Sequence, residues 1–304
     1  MNCRMATCNR LLVYAFSALA LAAAATVNAD QLHFAAAEQA ADTFVVAIAR
    51  GDQDTLEGLF GRGYLDYLPI DEVDTADIDR FLAAWTRHHT LLSEGEGIRM
   101  LEVGDTGWTL PIPIVQDPQG WRFDTQTGRE TMRIRRIGRN ELSAMQAALA
   151  YHDAQTEYAQ RDHDGNGVLE YAQRFISTPG KRDGLYWEAS KDEAESPLGA
   201  LFSEKTPEKA YHGYYYRILS AQGKHAEGGQ LDYKVNGNMV GGFGLVAWPA
   251  EYGESGVMSF MLNKEGVLYE TDLGPEGGEA AGRMLAFDPD SRWVRVSPVF
   301  SDPE

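Results

Sequence analysis

The sequence predicts an α+β protein in two domains behind a short export segment. Three observations predict it. Helical spacing of apolar residues over 35–60 and 76–92 gives way to strand-like runs after Gly97. A long helical stretch runs from Thr127 to Gln160, and from Tyr211 onward the apolar period is two. With 304 residues, two domains are the ordinary expectation. The predicted boundaries are 1–29 for a signal peptide, 30–125 for a small helix-plus-antiparallel-sheet domain, and 126–304 for a long helix, an Asp-rich loop and an antiparallel sheet.

The first thirty residues follow the three-part pattern of a secretory signal. Arg4 and Arg10 supply a basic start, Leu11 to Ala25 is apolar and uncharged, and Val27-Asn28-Ala29 fits a small-x-small cleavage site. The apolar run is shorter than the roughly 20 residues that span a bilayer. A periplasmic or secreted protein with no membrane span after cleavage is therefore expected. Cys3 and Cys8 would leave with the signal, so the mature chain would have no disulfide, thiolate metal site or cysteine nucleophile. Removal of Arg4 and Arg10 leaves 25 bases against 45 acids. Such a surface repels nucleic acid and anionic lipid, and attracts divalent cations and basic partners.

In the N-terminal domain, Ala36, Ala40, Phe44 and Ile48 form a helical stripe ending at Arg50-Gly51, and Asp52 caps a second run through Leu56 and Phe60. Residues 76–92 read as a third helix. Ile98 to Val103 and Trp108 to Val115 read as strands, the latter pushed to a sheet edge by Pro111 and Pro113. This order is loosely similar to cystatin and nuclear-transport-factor folds. In the second domain the long helix is expected to break at Gly138. Asn236-Gly237 and Asn263 to Gly266 mark two hairpins, and Gly241-Gly242 marks a bulge or a close backbone approach.

Four segments occur in order: Gly120–Leu142, Glu170–Trp187, Tyr211–Gly223 and Gly241–Pro275. They closely resemble a bacterial exported family, domain of unknown function 2950, over nearly all of the mature chain. The resemblance implies a periplasmic or secreted protein and carries no catalytic residues. The long helix followed by the Tyr214-to-Leu219 and Phe243-to-Tyr269 blocks also looks like the globular head of a pseudopilin, although no prepilin cleavage motif joined to a spine helix is present. That likeness bears on fold rather than activity.

Asp162-His163-Asp164-Gly165-Asn166-Gly167 matches the opening of an EF-hand loop. Its calcium ligands would be Asp162, Asp164, Asn166, the Val168 carbonyl, Glu170 and Gln173, with Leu169 anchoring the loop to a core. The twelfth position is Gln173 instead of glutamate, which weakens the expected affinity, and Asp183 could complete the shell. The alternative is an Asx-rich turn without metal. Tyr211, His212, Tyr214, Trp248, Glu251 and Tyr252 form a second candidate, an aromatic and acidic ligand surface. The alternative for its tyrosines is ordinary core packing. Zinc chemistry is poorly supported, because the histidines are scattered with no H-x-x-x-H pair. A serine hydrolase is also poorly supported, since Ser255 lacks the G-x-S-x-G elbow.

The functional expectation is a binding or assembly module of the cell envelope, with an envelope protein or polymer as partner. The competing expectation is a hydrolase of envelope polymers using Glu251, Asp272 and His212, supported by Tyr252, which needs two carboxyls facing one cleft.

Overall fold

The computed structural model describes residues 31–66, 73–188, 196–198 and 210–296. The expected signal peptide, with its expected cleavage site before Asp30, lies outside the described residues. Helices combine with several antiparallel sheets, so the protein is α+β. Two compact units divide it. The first runs to Thr109 and resumes at Ile114–Thr125; the second comprises Leu110–Pro113 and everything from Gln126. Among the described residues no helix is long and apolar enough to cross a membrane.

The first unit opens with α1 (Ala37–Arg50), which ends where Gly51 takes a left-handed conformation and donates to Ala47 and Ile48 carbonyls. Asp52 caps α2 (Gln53–Phe60) by accepting from Thr55 N–H. The next helix, α3 (Thr75–Arg87), begins with a reciprocal box between Asp74 and Asp77. It is shorter than its apolar spacing predicts. His88 is already extended, and β1 (His89–Gly95) pairs with β2 (Ile98–Val103) around a turn at Gly95–Gly97. Pairing with β2 decides the state of residues 89–92, whose composition suits either. The expected strand at 108–115 is also shorter, since Pro111 and Pro113 have no N–H to give a ladder. Only Ile114–Asp117 (β3) is strand; it pairs with β4 (Gly120–Phe123), and the sheet order is β1-β2-β3-β4. Phe44, Phe60 and Phe123 meet with ring centroids 5.4–5.7 Å apart and form the aromatic centre of this core.

The second unit is built on α4 (Thr125–Tyr158), a 34-residue helix that passes through Gly138 without a break. After it come β5 (Tyr214–Leu219), β6 (Ala221–Gln222), β7 (Leu231–Asp232), β8 (Lys234–Val235), β9 (Asn238–Met239), β10 (Gly244–Pro249), β11 (Met258–Asn263) and β12 (Leu268–Asp272). α5 (Gly277–Gly282), β13 (Ala286–Phe287) and β14 (Val294–Arg295) complete it. The main sheet has the order β14-β12-β11-β10-β5, all antiparallel. Ala144, Ala147, Ala148 and Ala154 let α4 approach a sheet face made by Leu245, Ala247, Phe260 and Leu262. The opposite face buries Val246, Met261 and Leu219 against Ala281, Phe287 and Trp293.

Asn236 and Gly237 have φ values of 52° and 91°, the turn that the Asn-Gly pair favours, and they join β8 to β9. That ribbon is shorter than predicted, because β10 leaves it to pair with β5. A Cβ on Gly241 would stand 3.1 Å from the Asp232 carbonyl oxygen and Tyr233 Cα, the close backbone approach that its sequence context predicts.

Candidate functional site

The Asp-rich loop follows α4 and closes on itself. Asp162 accepts the N–H of Gly165 and of Gly167, each at 2.8 Å, and these bonds hold its carboxyl below the usual carboxylate range. Asp164 accepts from Asn166 N–H at 3.1 Å, and Asn166 Oδ1 accepts from Val168 N–H at 2.7 Å. The downstream candidates bond backbone groups outside the loop. Glu170 accepts from Met239 N–H at 3.0 Å, and Gln173 donates to the Gly237 carbonyl at 2.7 Å. Asp183 closes a different turn, accepting both N–H and O–H of Thr178. Leu169 is 58% exposed and anchors nothing, contrary to its expected role. Among the described residues no group of three or more His, Cys, Asp or Glu side chains is placed to hold a metal ion.

A residue absent from the sequence expectations fastens the segment after this loop. Gln155 on α4 is fully buried. It donates to the Ala172 carbonyl and to Tyr151 Oη, and accepts from Ala172 N–H, at 2.8–2.9 Å. Tyr151 in turn donates to the Gly244 carbonyl on β10 at 3.2 Å. Helix, loop segment and sheet are thus joined by one chain of hydrogen bonds.

The expected aromatic and acidic surface is split by the sheet. Tyr214 and Tyr211 are buried in the core under α4, and Tyr214 donates to the Met258 carbonyl. Trp248 faces the other way, because its cross-strand partner is Tyr215 and successive residues alternate between faces. His212 stands at φ 48° between Tyr211 and Gly213, with its ring centroid 4.1 Å from that of Tyr211 and the two planes tilted by 53°. Glu251 and Tyr252 are exposed. Tyr252 donates to Asp272 at 3.1 Å, a bond that joins two of the hydrolase candidates. Ser255 donates to the Glu251 carbonyl and accepts from Glu251 N–H, so it closes a turn.

A groove of about 700 Å³ opens beside β5. One wall is Tyr215 to Ile218 with Trp248; the other is the segment Gln173 to Ile176. The Tyr215 and Trp248 rings stand 5.9 Å apart. Arg174 and Arg217 line the groove, none of its described lining residues is acidic, and the chain carries a net charge of −18. The expected surface shares Trp248 with it. Tyr215 and Arg217 carry no signal of their own in the sequence, because they alternate with tyrosines of the opposite, buried register.

One acid pair lies elsewhere, under α4. Glu141 accepts the N–H groups of Val257 and Met258, while burial, reinforced by the Glu141 charge, pushes Glu270 above the usual glutamate range. A raised carboxyl costs stability where it is ionised, and the cost disappears as pH falls through its folded value. Glu270→Gln is therefore expected to raise the Tm at pH 7, with the difference closing toward pH 4. An equal or lower Tm at pH 7 would contradict this placement.

Compared with known protein families, residues 31–296 match the family described as "Protein of unknown function (DUF2950)", and the chain belongs to that family. No curated protein matches it. No solved structure matches it either.

Proposed function

We propose that this member of the DUF2950 family is an exported, non-catalytic binding or assembly module of the cell envelope. The supporting observation is the open groove beside β5, lined by paired aromatics and two arginines on an otherwise acidic chain. A few polar groups on a largely apolar concave wall are the ordinary makings of a ligand site. Asp162, Asp164 and Asp183 close turns, and Asp52 and Asp74 cap helices. The single long helix over an antiparallel sheet supports the likeness to pseudopilin heads as a matter of fold. Export rests on the pattern of residues 1–29.

Two measurements test this reading. N-terminal sequencing of protein recovered from the periplasm or medium is expected to begin at Asp30. Retention of the first 29 residues in a membrane fraction would contradict cleavage and place the protein in the anchored class. Immobilised protein is expected to retain a specific component of envelope extract and to lose it on Trp248→Ala. No retention by the wild type would count against a binding role.

A second reading is weak calcium binding at the Asp-rich loop. Asp162, Asp164 and Asn166 sit on one tight turn, and a carboxylate oxygen accepting one N–H keeps a lone pair for a cation. With Glu170 and Gln173 engaged elsewhere, affinity in the range of about 0.1–1 mM is expected. The Tm should then rise with millimolar calcium and fall with chelator. Asp162→Ala should abolish that response. Because the variant also loses the acceptor for two loop N–H groups, the response is the readout rather than the absolute Tm. A melt indifferent to calcium leaves the loop as an Asx turn.

A further inference from the structure

We propose that the free edge of β5 is a strand-addition site for an extended, acidic segment of another envelope protein. This rests on the binding-module reading and deepens it by naming the site and the chemistry of the partner.

β5 is an edge strand of the main sheet. Ala250 donates to the Gly213 carbonyl at 2.9 Å, and the register that pairs Pro249 with Tyr214 places these two residues opposite each other. In an antiparallel ladder, hydrogen-bonded pairs alternate with non-bonded ones. Tyr215, Arg217 and Leu219 therefore exchange bonds with β10, while the even-numbered residues turn their N–H and C=O outward. Tyr214 agrees, because its N–H and C=O bond Tyr211 on the outer side at 3.0 and 2.7 Å. Ser220 also agrees, donating to Leu285 and accepting from Tyr233.

Between those two closed ends, the backbone groups of Tyr216 and Ile218 have no partner among the described residues. They form a window of two donors and two acceptors, spaced about 7 Å apart along the strand. The window opens into the groove, since Tyr215 to Ile218 are one of its walls. The facing wall is held in place: Arg174 and Phe175 carbonyls accept from Leu185 and Tyr186, and Gln155 pins Ala172. Unpaired edges of this kind are what extended peptides add to, with main-chain bonds giving affinity and alternate side chains giving specificity.

The side chains define the partner. Tyr215, Arg217 and Trp248 lie on one face of the sheet, with Arg217 exposed and without a partner among the described residues. Phe175 and Ile218 lie against the apolar cluster of the other face. An added strand would place one set of side chains beside Arg217 and the aromatic pair, and the alternate set beside Phe175 and Ile218. Carboxylates suit the first position and aliphatic groups the second. A second copy of this chain is a poorer occupant, because it brings a net charge of −18 against the same charge.

The test is selection of random octapeptides against the full chain, followed by fluorescence polarisation with the selected peptide. Expected peptides alternate Asp or Glu with apolar residues. Arg217→Glu is expected to weaken binding at least tenfold. Ile218→Pro should do the same, because it removes an outward N–H without taking a bond from β10, whereas Ile218→Val stays within threefold. Should Ile218→Pro fail to fold, N-methylation of alternate peptide amides probes the same bonds from the ligand's side, again with at least a tenfold loss. Selection without acidic enrichment, or equal binding of the N-methylated peptide, overturns the proposal. Dimerisation through this edge in light scattering would overturn it in favour of a second copy. If the wild type retains an envelope partner and both variants retain it equally, the site falls while the binding-module reading stands. If the wild type neither selects a peptide nor retains a partner, both fall.

Discussion

Gln155→Leu is expected to destabilise the second unit by about 3 kcal/mol, because it strands both backbone groups of Ala172. In the wild type one amide donates to the Ala172 carbonyl, accepts from the Ala172 N–H and supports Tyr151. Leucine fills similar volume and makes none of these bonds. Each unsatisfied buried group costs roughly 1–3 kcal/mol, and low local polarity keeps water from replacing the partner. For a unit of this size the Tm should fall by roughly 6–12 °C. The same change should loosen the segment Gln173 to Ile176 and so weaken any ligand of the groove. Gln155→Glu is expected to be comparably damaging at pH 7, since its carboxylate faces the Ala172 carbonyl with no proton to give. A thermal melt of Gln155→Leu within about 1 kcal/mol of wild type would show that the network carries little of the packing.

The second large effect is expected at Gly120. Its φ is 133°, and a Cβ there would stand 2.5 Å from the Phe34 carbonyl oxygen. Phe34 and Trp121 exchange two backbone bonds at 2.8 Å, which tie the chain entering the first unit to β4. Alanine must therefore adopt a disfavoured backbone conformation and also displace a backbone carbonyl that cannot rotate aside. Together these cost about 3 kcal/mol. Denaturant unfolding of Gly120→Ala should show a lowered midpoint. Gly95→Ala is the comparison, because that position has a similar φ (149°) but open space around it, so it isolates the conformational part. Equal losses in the two variants would mean that the Phe34 contact contributes nothing beyond φ.

Much of the local structure is legible in the residues. Asp52 as a cap, the Asn236-Gly237 turn and the close approach at Gly241 all depend on short-range sterics and hydrogen bonds. Element ends were less legible. Residues 89–92 fit a helix by spacing and become strand because β2 is there to pair with them. Gly138 permits a break, but α4 runs straight through it, since one glycine costs a helix only about 1 kcal/mol.

The site was the least legible part. Tyr214 and Trp248 are both aromatic residues on neighbouring strands, yet the pleat sends them to opposite faces. Gln155 reads as one polar residue on a long polar helix, and nothing local marks it as buried. Its partner Ala172 lies 17 positions away, and the sheet contact through Tyr151 lies 93 away.

By itself, the sequence determined the α+β class, the export pattern at residues 1–29, the acidic charge and the turns, because each follows from neighbours along the chain. Only the tertiary structure decided which tyrosines are core, what fastens the loop after α4, and that the backbone of Tyr216 and Ile218 finds no partner among the described residues beside two arginines. Those features depend on which strand lies next to which, and long-range pairing leaves no mark in the spacing of residues along one strand.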